Sequence, residues 1–119
     1  MARSLVIKLT AGQEAAERAN QAFTVAATAV TAGVPVSLWL TGEATWFGTP
    51  SGADLALPNA TPVDELRSAV LVGGTLTVCT QCAARRSLTE ADLVPGTRLA
   101  GAATFLEEAL ADDAQALVY

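Results

Sequence analysis

The sequence predicts an α/β fold in which a small, mainly parallel sheet is covered by helices on both faces. Two observations predict it. Short apolar runs with strand character alternate along the chain with segments of helical periodicity. Helix-ending glycines, Gly33 before Pro35 and Gly73-Gly74, fall where each longer helix must give way to the next strand. Such an order implies right-handed crossovers and a sheet buried on both sides.

The elements follow in order. Ser4 to Thr10 (SLVIKLT) reads as a short, mostly buried first strand. Glu14 to Ala32 carries Ala15, Ala19, Ala22, Phe23, Ala26 and Val30 on one helical stripe, with Gln21, Thr24, Thr28 and Thr31 opposite. Gly33 suits the left-handed position after that helix, and Pro35 prevents its continuation. Val36 to Leu40 (VSLWL) is the second strand, ended by Gly42. Residues 43–60 read as a loop with one helical turn around Trp46. Thr61-Pro62-Val63-Asp64 starts the next helix, with Thr61 as cap and Pro62 in the first turn, and Gly73-Gly74 stops it.

Thr75 to Cys79 (TLTVC) is the third strand, followed by a short helical piece and a turn begun by the Ser-x-x-Glu pattern at Ser87. Pro95-Gly96 is a turn, and Arg98 to Ala100 is a very short fourth strand. Ala102, Phe105, Leu106, Ala109 and Leu110 make the apolar face of a last helix, and Gln115 to Tyr119 is a terminal strand.

At 119 residues the chain fits a single domain, 1–119, with room for a core that needs no staples. Hydrophobic residues make up 51% and charged residues 16%, which excludes a disordered chain. The mean hydropathy of +0.38 points to apolar surface hidden against other subunits. A net charge of −5 argues against direct binding to nucleic acid or to an anionic membrane. No charge occurs between Arg18 and Glu43, a span long enough for a bilayer. Gly33 and Pro35 break it in the middle, so it reads as helix, turn and buried strand. No signal-peptide layout precedes the first strand, so a cytoplasmic location with reduced cysteines is expected.

There is no histidine, which excludes Ser-His-Asp and Cys-His catalysis within this chain. No glycine-rich phosphate loop is present, and Glu107-Glu108 and Asp112-Asp113 read as a solvated face and a helix end. What remains is Cys79-Thr80-Gln81-Cys82, followed by Arg85-Arg86. Ligand-binding and catalytic groups gather beyond the carboxyl ends of such strands, and Cys79 ends the third strand there.

Free N–H groups in the turn of Thr80 and Gln81, and a folded-back Arg85 or Arg86, would stabilise a Cys79 thiolate. The alternative is that Cys79 is a small buried strand residue. Cys82 has three readings: a resolving partner for Cys79, part of a metal site, or packing. As a metal half-site without histidine it lacks ligands unless carboxylates or an interface complete it. Neither metal nor cofactor is expected. Trp46 and Phe47 follow the second strand near the same edge, either as core cover or as a pocket wall.

Nearly the whole chain resembles the DsrE/DsrF-like (YchN-like, TusD-related) small sulfur-relay family. The resemblance is carried by the opening strand and Ala-rich helix, by TVCTQCAARRSLTEADL, and by the closing RLAGAATFLEEALADDAQALVY. Most specific is a strand-ending Cys followed six and seven residues later by Arg-Arg. The resemblance implies a three-layer α/β/α sandwich with a five-stranded parallel sheet, assembled as a trimer or hexamer. It implies that Cys79 carries a persulfide received from a donor protein and passed to an acceptor. The sequence departs from the family's carriers at Cys82, where they have a small residue such as Ala, and in a shorter loop after the second strand.

Three functions are therefore expected to compete: sulfur relay through Cys79, thiol–disulfide or redox-sensing chemistry through Cys79 and Cys82, and a non-enzymatic ligand-binding module with a pocket near Cys79 and Trp46.

Overall fold

The strands β1 (Ser4–Leu9), β2 (Val36–Leu40), β3 (Thr75–Cys79), β4 (Arg98–Ala100) and β5 (Ala114–Val118) form one sheet in the order β4-β3-β2-β1-β5. Every neighbouring pair is parallel. The structure is a computed structural model that describes residues 3–52 and 54–119. Met1 and Ala2, expected within the single domain, and Ala53, expected within the loop after the second strand, lie outside the described residues.

The helices are α1 (Ala16–Thr31), α2 (Val63–Gly73), α3 (Thr80–Arg85) and α4 (Ala102–Ala109). Alternation along the strands sends Ile7, Leu9, Leu38, Leu40, Leu76 and Val78 to one face of the sheet, where they meet α1 and α2 in the main core. Phe23 from α1 and Phe47 from the loop pack edge to face there, ring centres 5.6 Å apart. Gly33 has φ +82, and Val34 and Gly33 donate to the carbonyls of Ala29 and Val30. That is the left-handed helix ending expected from the sequence.

The other face is unlike the first. It presents Val6, Lys8, Ser37, Trp39, Thr77 and Arg98, and α4 packs against it. Glu108 of α4 accepts from Ser37 Oγ at 2.6 Å, Trp39 Nε1 at 2.9 Å and Arg98 Nη2 at 2.7 Å. Arg98 Nε also donates to Thr77 Oγ1, and Lys8 Nζ lies over the Phe105 ring.

This corrects two expectations. Glu108 is not part of a solvated face. The apolar stripe of α4 is split: Phe105 and Ala109 turn toward the sheet, while Leu106 and Leu110 are exposed. A polar sheet face selected the helix rotation that brings a carboxylate to it.

Three boundaries are also corrected. The first turn of the first helix is a separate 3-10 turn, Gln13–Ala15. Pro62, not Thr61, is the residue before α2; Glu65 and Leu66 donate to the Pro62 carbonyl, and Thr61 spends its own carbonyl on Asn20 Nδ2. Ser87 cannot cap a turn because it has φ +56 and closes α3, where Leu88 N–H reaches the Ala83 carbonyl. The capping box belongs to Thr89 and Asp92 around a 3-10 turn, Glu90–Asp92.

The Glu108 cluster has a pH consequence. Burial pushes its carboxyl upward, but the donors Ser37, Trp39 and Arg98, with the Arg98 charge, more than reverse this and hold it below the ordinary value of 4.5. A carboxyl depressed in the fold favours folding above its unfolded pKa, and that contribution is lost as pH falls through the lower folded value. Urea midpoints should therefore fall on acidification below about pH 4.5. Glu108→Gln should lower the midpoint at neutral pH and flatten the acid limb. Parallel acid limbs for the two proteins would contradict the assignment.

No helix among the described residues is long and apolar enough to cross a membrane.

Candidate functional site

The strands β1, β2 and β3 end side by side, at Leu9, Leu40 and Cys79, and the chain segments leaving them build the site. After β2 the chain turns at Gly42, which has φ +55, and a Cβ there would lie 2.9 Å from the Thr10 carbonyl oxygen. A side chain is excluded on both grounds. This turn aims the Gly42 N–H at the Cys82 sulfur, with N···Sγ of 3.3 Å. A 3-10 helix, Gly42–Gly48, then carries Glu43, Trp46 and Phe47 along the edge.

Cys79 is the last residue of β3 and the residue before α3. Its backbone is extended, at φ −62 and ψ 127, and its side chain makes no capping hydrogen bond. Strand alternation places it with Thr77, on the face that α4 covers. Cys79 is half-exposed.

Cys82 lies one helical turn further on and is 8% exposed. Its sulfur receives the Gly42 N–H, and Arg85 Nη1 stands 4.0 Å away. Burial pushes the Cys82 thiol up. The Gly42 hydrogen bond and the Cys79 side chain, followed by the charges of Arg85 and Arg86, bring it below its ordinary value. The backbone N–H expected at Cys79 thus falls on Cys82, because the donor comes from the β2 turn and not from α3.

Arg86 does not reach either sulfur. Its Nε and Nη2 bind Glu43 Oε2 at 3.0 and 2.7 Å, and its Nη1 donates to the Cys82 carbonyl at 3.1 Å. Arg86 therefore ties α3 to the β2 turn. Thr80 and Gln81 are exposed in the first turn of α3.

Trp46 is 40% exposed and lines a cavity of about 290 Å³ with Gln13, Glu14, Glu43, Phe47 and Thr49. Neither cysteine lines this cavity, which reaches the cysteine edge through Glu43. Phe47 is core, as one of its two readings had it. The structure thus brings together Cys79, Cys82 and Arg85, joins Arg86 through Glu43, and leaves Trp46 in the adjacent cavity.

Three contributors are not legible as such in the sequence. Gly42 reads there only as a strand end, and Glu43 as loop. Arg67 is buried in α2 and donates through Nη1 to the carbonyls of Phe47 and Thr49 at 2.9 and 3.1 Å, fixing the wall that carries Trp46. Its signal was available: Val63, Leu66, Arg67 and Val70 form a helical stripe with a cation inside it.

Comparison with known proteins agrees with this architecture. The crystal structure of the YchN protein from E. coli matches with a TM-score of 0.82, over 98% of this chain and 99% of that one. The sequence identity is 13%, so the likeness is one of fold. An uncharacterised protein of Methanocaldococcus jannaschii is 31% identical over 84 residues, which are 71% of this chain and 72% of that protein. The sequence profile of the DsrE/DsrF-like family matches residues 3–117, and with the fold and the relatives in accord, the chain belongs to the DsrE/DsrF-like family.

Proposed function

We propose that the protein relays sulfur, carried as a persulfide on Cys79 between a donor and an acceptor protein in a reducing compartment such as the cytoplasm. The observation that carries this reading is the pairing of a half-exposed Cys79 thiol with the buried, electrostatically favoured Cys82 sulfur at the carboxyl edge of the sheet. The Cys79 sulfur attacks the outer sulfur of a donor persulfide, a new S–S bond forms, and the donor leaves as a thiolate that takes the Cys79 proton. An acceptor thiolate then attacks the outer sulfur and returns Cys79 to its starting state.

Incubation with a cysteine desulfurase and cysteine, followed by alkylation and intact mass spectrometry, should add the mass of sulfur to Cys79. Cys79→Ser should abolish the addition. Equal labelling of the variant would sink the reading.

A further inference from the structure

We propose that Cys82 is a resolving thiolate, which cleaves the Cys79 persulfide from inside, releases hydrosulfide and closes a Cys79–Cys82 disulfide. The proposal rests on the relay reading and says what this chain does with its cargo when no acceptor protein takes it.

The contacts single out the atom attacked. Cys79 is the residue before α3 and Cys82 lies in the first turn of that helix, so the Cys79 Sγ that Cys82 faces becomes, on loading, the inner sulfur of the persulfide. The added outer sulfur extends beyond it, on a residue that is half-exposed, whereas Cys82 is closed off from solvent. Cys82 therefore meets the inner sulfur first. The Gly42 N–H at 3.3 Å and the Arg85 guanidinium at 4.0 Å favour the anion on Cys82, the form that attacks. Cys82 is the third residue of α3, the spacing at which a side chain just before a helix reaches its first turn.

The step balances. The Cys82 thiolate forms a bond to Cys79 Sγ, the bond from Cys79 Sγ to the outer sulfur breaks, and the outer sulfur leaves as hydrosulfide with the electron pair. The sulfane sulfur is reduced and the two cysteine sulfurs are oxidised to the disulfide, with no outside oxidant. Loading thus yields a single release per chain, until a dithiol reduces the disulfide.

The reduced protein is treated anaerobically with one equivalent of glutathione persulfide and followed by sulfide assay, alkylation and mass spectrometry. The Cys79 persulfide should appear and decay as one sulfide per chain is released, and both cysteines should become resistant to alkylation until reductant is added. Release should quicken with pH as Cys82 ionises. In Cys82→Ser the persulfide should persist without sulfide release. Cys82→Ala, which buries no new polar group, should behave the same way, so a folding defect of one variant does not obscure the result.

A wild-type persulfide as long-lived as that of the variants, with Cys82 still alkylated, overturns the proposal while leaving the relay reading intact. So does sulfur reappearing on Cys82 as a persulfide. A release rate independent of pH across thiol ionisation overturns it as well. No persulfide on Cys79 at any time overturns the relay reading and this proposal together.

Discussion

Trp39→Ala is expected to lower the unfolding free energy by about 3–5 kcal/mol, the cost of emptying a large buried aromatic site. Trp39 is 1% exposed in the middle strand of the sheet, on the face that α4 covers. Its ring meets Phe105 edge to face at 5.4 Å, the Arg98 guanidinium lies 5.4 Å from its centre, and its N–H binds Glu108. Removing the indole therefore opens a cavity and takes a donor from a partly buried carboxylate at once. Trp39→Phe separates the two, since it keeps most of the apolar volume and deletes only the N–H; a loss of about 1–2 kcal/mol is expected. Urea unfolding of the pair checks this. Equal losses for the two variants would show that the hydrogen bond, and not the packing, anchors α4.

Arg67→Ala is expected to be comparably damaging, at about 3–5 kcal/mol, with effects on the site as well as on stability. The Arg67 guanidinium is buried, no described carboxylate forms an ion pair with it, and burial lowers its pKa, opposed by the Asp64 charge. It remains charged nonetheless. It persists in the core because two backbone carbonyls, of Phe47 and Thr49, take its protons. Those carbonyls belong to the corner where Thr49 N–H and Oγ1 both bind the Trp46 carbonyl. Without the guanidinium the corner loses its anchor and the cavity wall loosens. Arg67→Met should fall between wild type and Ala, because it restores volume but leaves the carbonyls unpaired. Hydrogen exchange of the Thr49 amide reports the local part, and protection unchanged in Arg67→Ala would contradict the anchoring role.

Strand positions were legible because each strand has few choices of register and clear punctuation. Thr75–Cys79, Val36–Leu40 and Arg98–Ala100 agree with the sequence prediction to the residue. The sequence patterns that misled were those with two local solutions. Thr61 and Pro62 both offer a start to α2, and the helix begins directly after Pro62 with no side-chain cap. Ser87-x-x-Glu90 and Thr89-x-x-Asp92 overlap, and the left-handed backbone of Ser87 leaves only the second.

The α4 face was illegible for a different reason. A helical stripe of Phe105, Leu106, Ala109 and Leu110 fixes periodicity but not which flank meets the sheet. Ser37 and Trp39 choose Glu108 from 71 and 69 residues away. At the site, Cys79, Cys82 and Arg85 were legible as neighbours along the chain. The donor from Gly42, 40 residues before Cys82, was not, and it redirects the electrostatic support from one cysteine to the other.

The position of β5 has a kinetic corollary. It pairs not with β4, its neighbour in the chain, but with β1, where Leu5 faces Gln115 and Ile7 faces Leu117. Thr10 N–H and Tyr119 N–H then bind the Tyr119 and Lys8 carbonyls. Joining these two strands closes a loop running from Leu9 to Ala114, and the entropic cost of closure grows with loop length. A ribosome emitting this chain can release β1 to β2 early, but the flank of β1 stays bare until the last strand emerges. High sequence separation of this kind slows folding. The interval is one in which an unpaired sheet edge is open to the wrong strand.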